Sequence, residues 1–312
     1  MIISASRRTD IPTYYSNWFF NRVMDGYVLV RNPMNAHQIS KIALNPDVVD
    51  GIVFWTKNPI PMLNELKILH DYMYYFQFTL NSYAQDVEAH VPNKQKHIIP
   101  AFKKLSDMIG PDRVIWRYDP IFLNDTYTPE YHIRYFERIA KELSPYTKKC
   151  TISFIDFYRN TSKNVSGLSL RDFPEETQKS LAKELAAIAH SYGLLIDTCA
   201  EGIELQEYGI EHARCIDDRL LSKLLECPLD IGKDKSQRLE CGCIESIDIG
   251  TYESCLNGCI YCYAIKGNYN TAVYNRRKHD KNSPLLIGHL SEDDIVKERE
   301  MKSLRDNQYS LF

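Results

Sequence analysis

Short runs rich in Val, Ile, Tyr and Phe recur along this chain, separated by longer stretches whose apolar residues fall at three- and four-residue steps. That alternation limits the fold more than any other feature, because the short runs read as strands and the longer period as helices. Strands are expected at Met1 to Ser6, Tyr27 to Arg31, Gly51 to Thr56, Tyr74 to Leu80, Val114 to Tyr118, Thr151 to Ile155, Leu194 to Thr198 and Ile244 to Ile249. The clearest helix sets Ile133, Phe136, Ile139, Ala140 and Leu143 on one face after a Thr128-Pro129-Glu130 start. Another runs from about Pro174 to Tyr192 and stops at Gly193. Repeated strand and helix alternation makes a parallel sheet, and eight units close a barrel. The expected fold is α/β, a (β/α)8-type, TIM-like barrel over residues 1–250. With 312 residues, 44% of them hydrophobic, the chain has apolar surface enough for one large core.

In such a barrel the active site lies at the carboxyl ends of the strands. Those ends read Arg7-Arg8-Thr9-Asp10, Arg31-Asn32, Thr56-Lys57-Asn58, Thr79 with Asn81, Arg117 with Asp119, Asp156, and Thr198-Cys199 with Glu201. Strand ends meet water and are polar in any case, but Arg7, Arg31, Lys57 and Arg117 recur at equivalent places. A guanidinium fork suits carboxylate or phosphate, so the mouth is expected to hold an anion. Arg7, Arg8, Asp10, Arg117 and Asp119 are the candidate catalytic residues.

The chain has nine cysteines, and no secretion signal is expected, since Arg7-Arg8 is followed by Asp10-Ile11-Pro12 and not by an apolar stretch. A cytoplasmic location and reduced, metal-binding thiols are expected. No apolar run approaches the roughly 18 residues of a membrane span. The net charge of -3 provides no global field for nucleic acid. Cys255, Cys259 and Cys262 crowd into one loop. Closed zinc sites take four ligands, which one Cys-x-x-Cys pair does not complete. An iron-sulfur cubane held by three thiolates keeps one iron open to an outside ligand.

Cys255-x3-Cys259-x-Tyr261-Cys262 resembles the signature of radical S-adenosylmethionine (SAM) enzymes, including the aromatic residue before the last cysteine. The resemblance implies a 4Fe-4S cluster on the three cysteines, SAM chelated to the open iron, and cleavage of SAM to a 5'-deoxyadenosyl radical. It further implies a partial or complete β/α barrel, an electron donor such as flavodoxin or ferredoxin, and Tyr261 as a cofactor-binding residue, to which the strand-end reading adds Arg31 and Lys57. In that superfamily the loop follows the first strand; here it comes after the last, fed by Ile247-Asp248-Ile249-Gly250. The usual Gly-Gly-Glu segment is missing. The chain is also similar, over residues 1 to about 290, to a bacterial and archaeal family known only as a domain of unknown function. Its members open with the same Ile-Ser-Ala-Ser-Arg-Arg-Thr-Asp-Ile-Pro stretch and close with Cys-x3-Cys-x2-Cys-Tyr-Ala.

A second, auxiliary iron-sulfur cluster is expected on Cys199, Cys215, Cys241 and Cys243, whereas Cys150 and Cys227 fit small core residues. Residues 251–290 are expected to form the cluster loop and a basic segment, Asn275 to Lys281, packed on the barrel mouth, with 291–312 a C-terminal helix and tail. Gln308-Tyr309-Ser310-Leu311-Phe312 resembles the peptide by which bacterial DNA-repair and replication proteins dock on the sliding clamp. That resemblance implies a nucleotide or DNA substrate at the mouth. Two other readings stay open: an iron-sulfur electron-transfer or sensing protein that does not cleave SAM, and a zinc-bound scaffold.

Overall fold

The computed structural model describes residues 1–156 and 165–306. Eight strands form one parallel sheet in the spatial order β10 (Ile247–Asp248), β1 (Ile2–Ala5), β4 (Gly51–Thr56), β5 (Tyr74–Thr79), β6 (Val114–Ile121), β7 (Lys149–Phe154), β8 (Leu195–Thr198) and β9 (Glu211–His212). The expected closed barrel is not formed. The edge strands β9 and β10 are two residues long and are not paired with each other. Across the gap the Ile244 N–H donates to the Ile216 carbonyl at 3.2 Å, one bond where a closed barrel needs a ladder.

A second departure concerns the run at Tyr27. It becomes β2 (Tyr27–Asn32), which leaves the parallel sheet and pairs antiparallel with β3 (Asn35–Ala43). The turn explains it: Pro33 cannot extend a ladder, and the Met34 N–H donates to Asn32 Oδ1 at 2.9 Å, folding the chain back. The free edge of β3 takes β11 (Ile295–Glu298) in parallel. The helix expected after residue 290 is therefore not found among the described residues. Its charged sequence has helix propensity, but β-branched Ile295 and Val296 and an unpaired edge outweigh it.

The expected helices are otherwise in place. Helix α5 (Pro129–Leu143) starts under a Thr128 side chain that accepts from the Tyr131 N–H, and α6 (Glu175–Ser191) ends before Gly193 at φ +70°. Both faces of the sheet are buried, which is why its strands read as nearly continuous apolar runs. Ile3, Phe54, Phe76, Trp116 and Ile152 pack in the core shared with the helices. Ile2, Val53, Tyr75 and Ile115 alternate with them and face the segment around Cys215, Ile216 and Ile244. Among the described residues no helix is long and apolar enough to cross a membrane.

Candidate functional site

The carboxyl ends of β1, β4, β5, β6, β7 and β8 open into a single cavity of about 480 Å³. Arg7, Arg8, Asp10, Lys57, Arg117 and Asp119 line it, as the strand-end reading expects. All seven cysteines named as metal ligands reach the same wall, as does Tyr261. Arg31 does not. Carried off by the β2–β3 hairpin, it pairs with Asp294 at 2.6 Å, away from the cavity where the strand-end reading expects it. The basic segment is also displaced from the mouth: helix α8 (Tyr269–Arg276) and the residues after it pack on α1 (Ile11–Tyr14) and α2 (Ser16–Met24), with His279 4.8 Å from Tyr15 and the Trp18 indole donating to the Ser283 carbonyl at 2.9 Å. Gln308 to Phe312 lies outside the described residues.

Much of the mouth's charge is matched within the protein. Arg117 pairs with Asp119 and donates to Gln77 and to Cys215 Sγ. Arg8 stands 3.8 Å from Asp248, and Arg7 3.9 Å from Asp234. Asp248 itself, on β10, accepts from the Ser4 and Ser6 hydroxyls and from the Arg7 and Gly250 N–H groups. Asp10 braces three elements, taking bonds from the Thr13 N–H, Thr56 Oγ1, the Lys57 N–H and Asn257 Nδ2. Burial raises its pKa, with those four bonds opposing.

The cysteine loop is moored to this frame at many points. Tyr14 and Tyr15 hydroxyls donate to Asn257 Oδ1 and the Ser254 carbonyl, and the Tyr263 hydroxyl donates to the Arg7 carbonyl. On its far side Cys259 bridges antiparallel to Glu88, and the Ile260 N–H donates to the Val87 carbonyl at 3.1 Å. Gly258, at φ +65°, turns the chain just before these contacts; a Cβ there would meet the His90 ring at 2.7 Å. Glu88 is almost wholly buried between Lys57 at 2.8 Å and Lys94 at 2.5 Å, and it accepts from Tyr261. Burial alone would raise its pKa, yet the two lysines more than reverse this and hold it at about 2. Lys57 is pulled down by burial and pushed up further by Glu88 and Cys259.

The donor chemistry around the three thiols suits an iron-sulfur cluster. Desolvation pushes all three up, Cys255 to about 12. Against it, the Asn257 and Asp10 N–H groups donate to Cys255, and those of Ala264 and Ile265 donate to Cys262. N–H groups aimed at sulfur favour the thiolate and tune a cluster bound to it. No two of these three sulfurs are hydrogen-bonded to each other, and no three His, Cys, Asp or Glu side chains among the described residues close round a single-ion position as they stand.

The family described as Domain of unknown function (DUF1848) matches residues 2–264. The chain belongs to it. The match takes in the cavity and the whole Cys255–Cys262 loop and ends before α8. No curated protein and no solved structure matches the chain.

In this DUF1848 chain the residues that sequence reasoning missed are mainly acids that hold others: Glu88, Asp248 and Asp234. Asp248 lies inside the segment that feeds the loop, and its alternation with Ile247 and Ile249 is the available signal. Glu88 sits outside any strand or helix and gave none. Gly250 was a further signal. A Cβ there would come within 2.6 Å of Ser6 Cβ and closer still to its hydroxyl. Gly250→Ala is expected to cost about 1–3 kcal/mol by overpacking the junction of β1 and the loop. Urea denaturation checks it, and adding Ser6→Gly is expected to return part of the loss.

Proposed function

We propose that this chain is an iron-sulfur enzyme of the radical SAM type. Cys255, Cys259 and Cys262 would hold a 4Fe-4S cluster, and when bound it would supply the electron for reductive cleavage of SAM. The observation that carries the reading is the convergence of these three thiols, with N–H donors on two of them, at the rim of a cavity built from strand carboxyl ends. The protein's own part is to position and shield. Five basic side chains, Arg7, Arg8, Lys57, Arg117 and Arg238, face three acidic ones in the cavity, which favours an anionic group such as the SAM carboxylate or an anionic substrate. Tyr261, tied to Glu88, fixes the loop beside it.

Anaerobically reconstituted protein reduced with dithionite is expected to form 5'-deoxyadenosine from SAM, and Cys259→Ala to form none. If a full cluster yields no product above background, and SAM leaves its electron paramagnetic resonance spectrum unchanged, the electron-transfer or sensing reading replaces this one. The narrower proposal of a nucleotide or DNA substrate rests on Gln308 to Phe312, and full-length protein with no affinity for a sliding clamp would remove its support.

A further inference from the structure

Four cysteines far apart in the chain meet on the wall of the same cavity. Cys199 follows β8, Cys215 follows β9, and Cys241 and Cys243 lie just before β10, so three separate loops deliver them. The Cys199 and Cys215 sulfurs are 3.0 Å apart. Cys215 is also in hydrogen-bond reach of Cys243, and Cys243 of Cys241. None of the four bonds to a sulfur of the Cys255 loop.

Apolar packing explains a solitary buried thiol, since free cysteine behaves as a small hydrophobe. Cys150, fully buried in β7, is of that kind. Packing does not explain what surrounds the four. Arg117 Nη1 donates to Cys215 Sγ at 2.8 Å, the Ile216 N–H to Cys243 Sγ at 3.4 Å, and the Cys243 N–H to Cys241. Arg7 lies alongside Cys243 and Cys215. A neutral thiol needs none of these donors; a set of thiolates needs both the N–H groups and the positive charge.

We infer that Cys199, Cys215, Cys241 and Cys243 are the ligands of a second metal centre, held by four thiolates and separate from the one proposed at Cys255, Cys259 and Cys262. Four thiolates suit a soft centre, an iron-sulfur cluster or a zinc ion. The sulfurs now stand as a chain of neighbours, and ligation asks each to turn about χ1. Full cysteinyl ligation leaves no open position, so this centre does not bind a small molecule: as iron-sulfur it carries electrons, as zinc it ties three loops together. It also gives Arg7 and Arg117 a task at the mouth besides meeting substrate, the offset of thiolate charge. The inference stands whether or not SAM is cleaved at the other site.

Iron and zinc content separates the two centres. Reconstituted wild-type protein is expected to hold about eight irons per chain, or about four with one zinc if the second centre is zinc. Cys199→Ser with Cys243→Ser is expected to lose the second metal and keep the first cluster. Cys255→Ser, Cys259→Ser and Cys262→Ser together are expected to keep the second metal, a result that supports the inference even where the other variant fails to fold. A loop variant that holds no metal at all, or a Cys199, Cys243 variant that folds and keeps as much metal as wild type, overturns it. If the loop centre itself is misassigned, the loop variant retains all its metal while the Cys199, Cys243 variant still loses its share.

Discussion

Acidification from pH 6.5 to 4 is expected to cost the fold about 3 kcal/mol through one side chain, His132. The imidazole is fully buried under Tyr83, Tyr118 and Tyr131, with the Tyr118 hydroxyl 2.8 Å from Nδ1 and Nε2 bonded to the Phe122 carbonyl at 2.9 Å. That pattern fits one tautomer of the neutral ring, with Nδ1 accepting and Nε2–H donating. Burial lowers the pKa from 6.5 to about 4, and the bond to Phe122 only partly opposes it. Above pH 6.5 the ring is neutral folded and unfolded, and contributes nothing. Below that the unfolded chain takes the proton first, so stability falls until about pH 4, where the folded ring is protonated as well. Glu201 runs the other way: burial raises it to about 7, so the folded chain binds its proton first and gains stability as pH drops through that range. The measurement is therefore a difference. His132→Gln is expected to be less stable than wild type at pH 7 and to close about 3 kcal/mol of that gap by pH 4 in urea denaturation. A gap that does not change with pH would show that His132 is not held neutral.

What the sequence made legible, and what it hid, follows from the range of each interaction. Strand and helix identity came through because burial on both sheet faces writes a local pattern, and Thr128-Pro129 and Gly193 punctuate helices within a few residues of themselves. Closure of the sheet did not, since it depends on whether β9 and β10, two residues each, find one another across the chain between them. Ile295 and Val296 show the same limit. Their neighbours Glu292 to Arg305 carry helical composition, and only the vacant edge of β3, far away in sequence, makes them a strand. At the cavity, type and spacing pointed to cysteines and strand-end basic residues that line one wall, Arg31 excepted. The acids that anchor those groups were hidden, because an acid's partner is set by the fold and not by its neighbours in sequence.

Glu88 is the clearest of these, and Glu88→Gln is expected to cost about 3–5 kcal/mol. Its carboxylate is the shared counter-charge of Lys57 and Lys94, and it also accepts from Asn81 and Tyr261. Glutamine keeps the shape and loses the charge, so two largely desolvated ammonium groups lose their shared counter-charge. Removing one partner of a buried ionic network leaves uncompensated charge, which costs far more than an exposed pair is worth. The consequence reaches the thiols. Cys259 bridges to Glu88 through the backbone, and Tyr261, two residues on, hangs from the same carboxylate. The loop's position in Glu88→Gln is thus expected to loosen, and, on the proposed cluster, the iron retained after reconstitution to fall along with stability. Adding Lys94→Met is expected to return part of the lost stability, because the buried lysine without its carboxylate is the source of the cost. Urea midpoints for the three proteins and their iron content after equal reconstitution test the argument. A single variant within about 1 kcal/mol of wild type, with its iron retained, would show that Glu88 neither carries the network nor holds the loop.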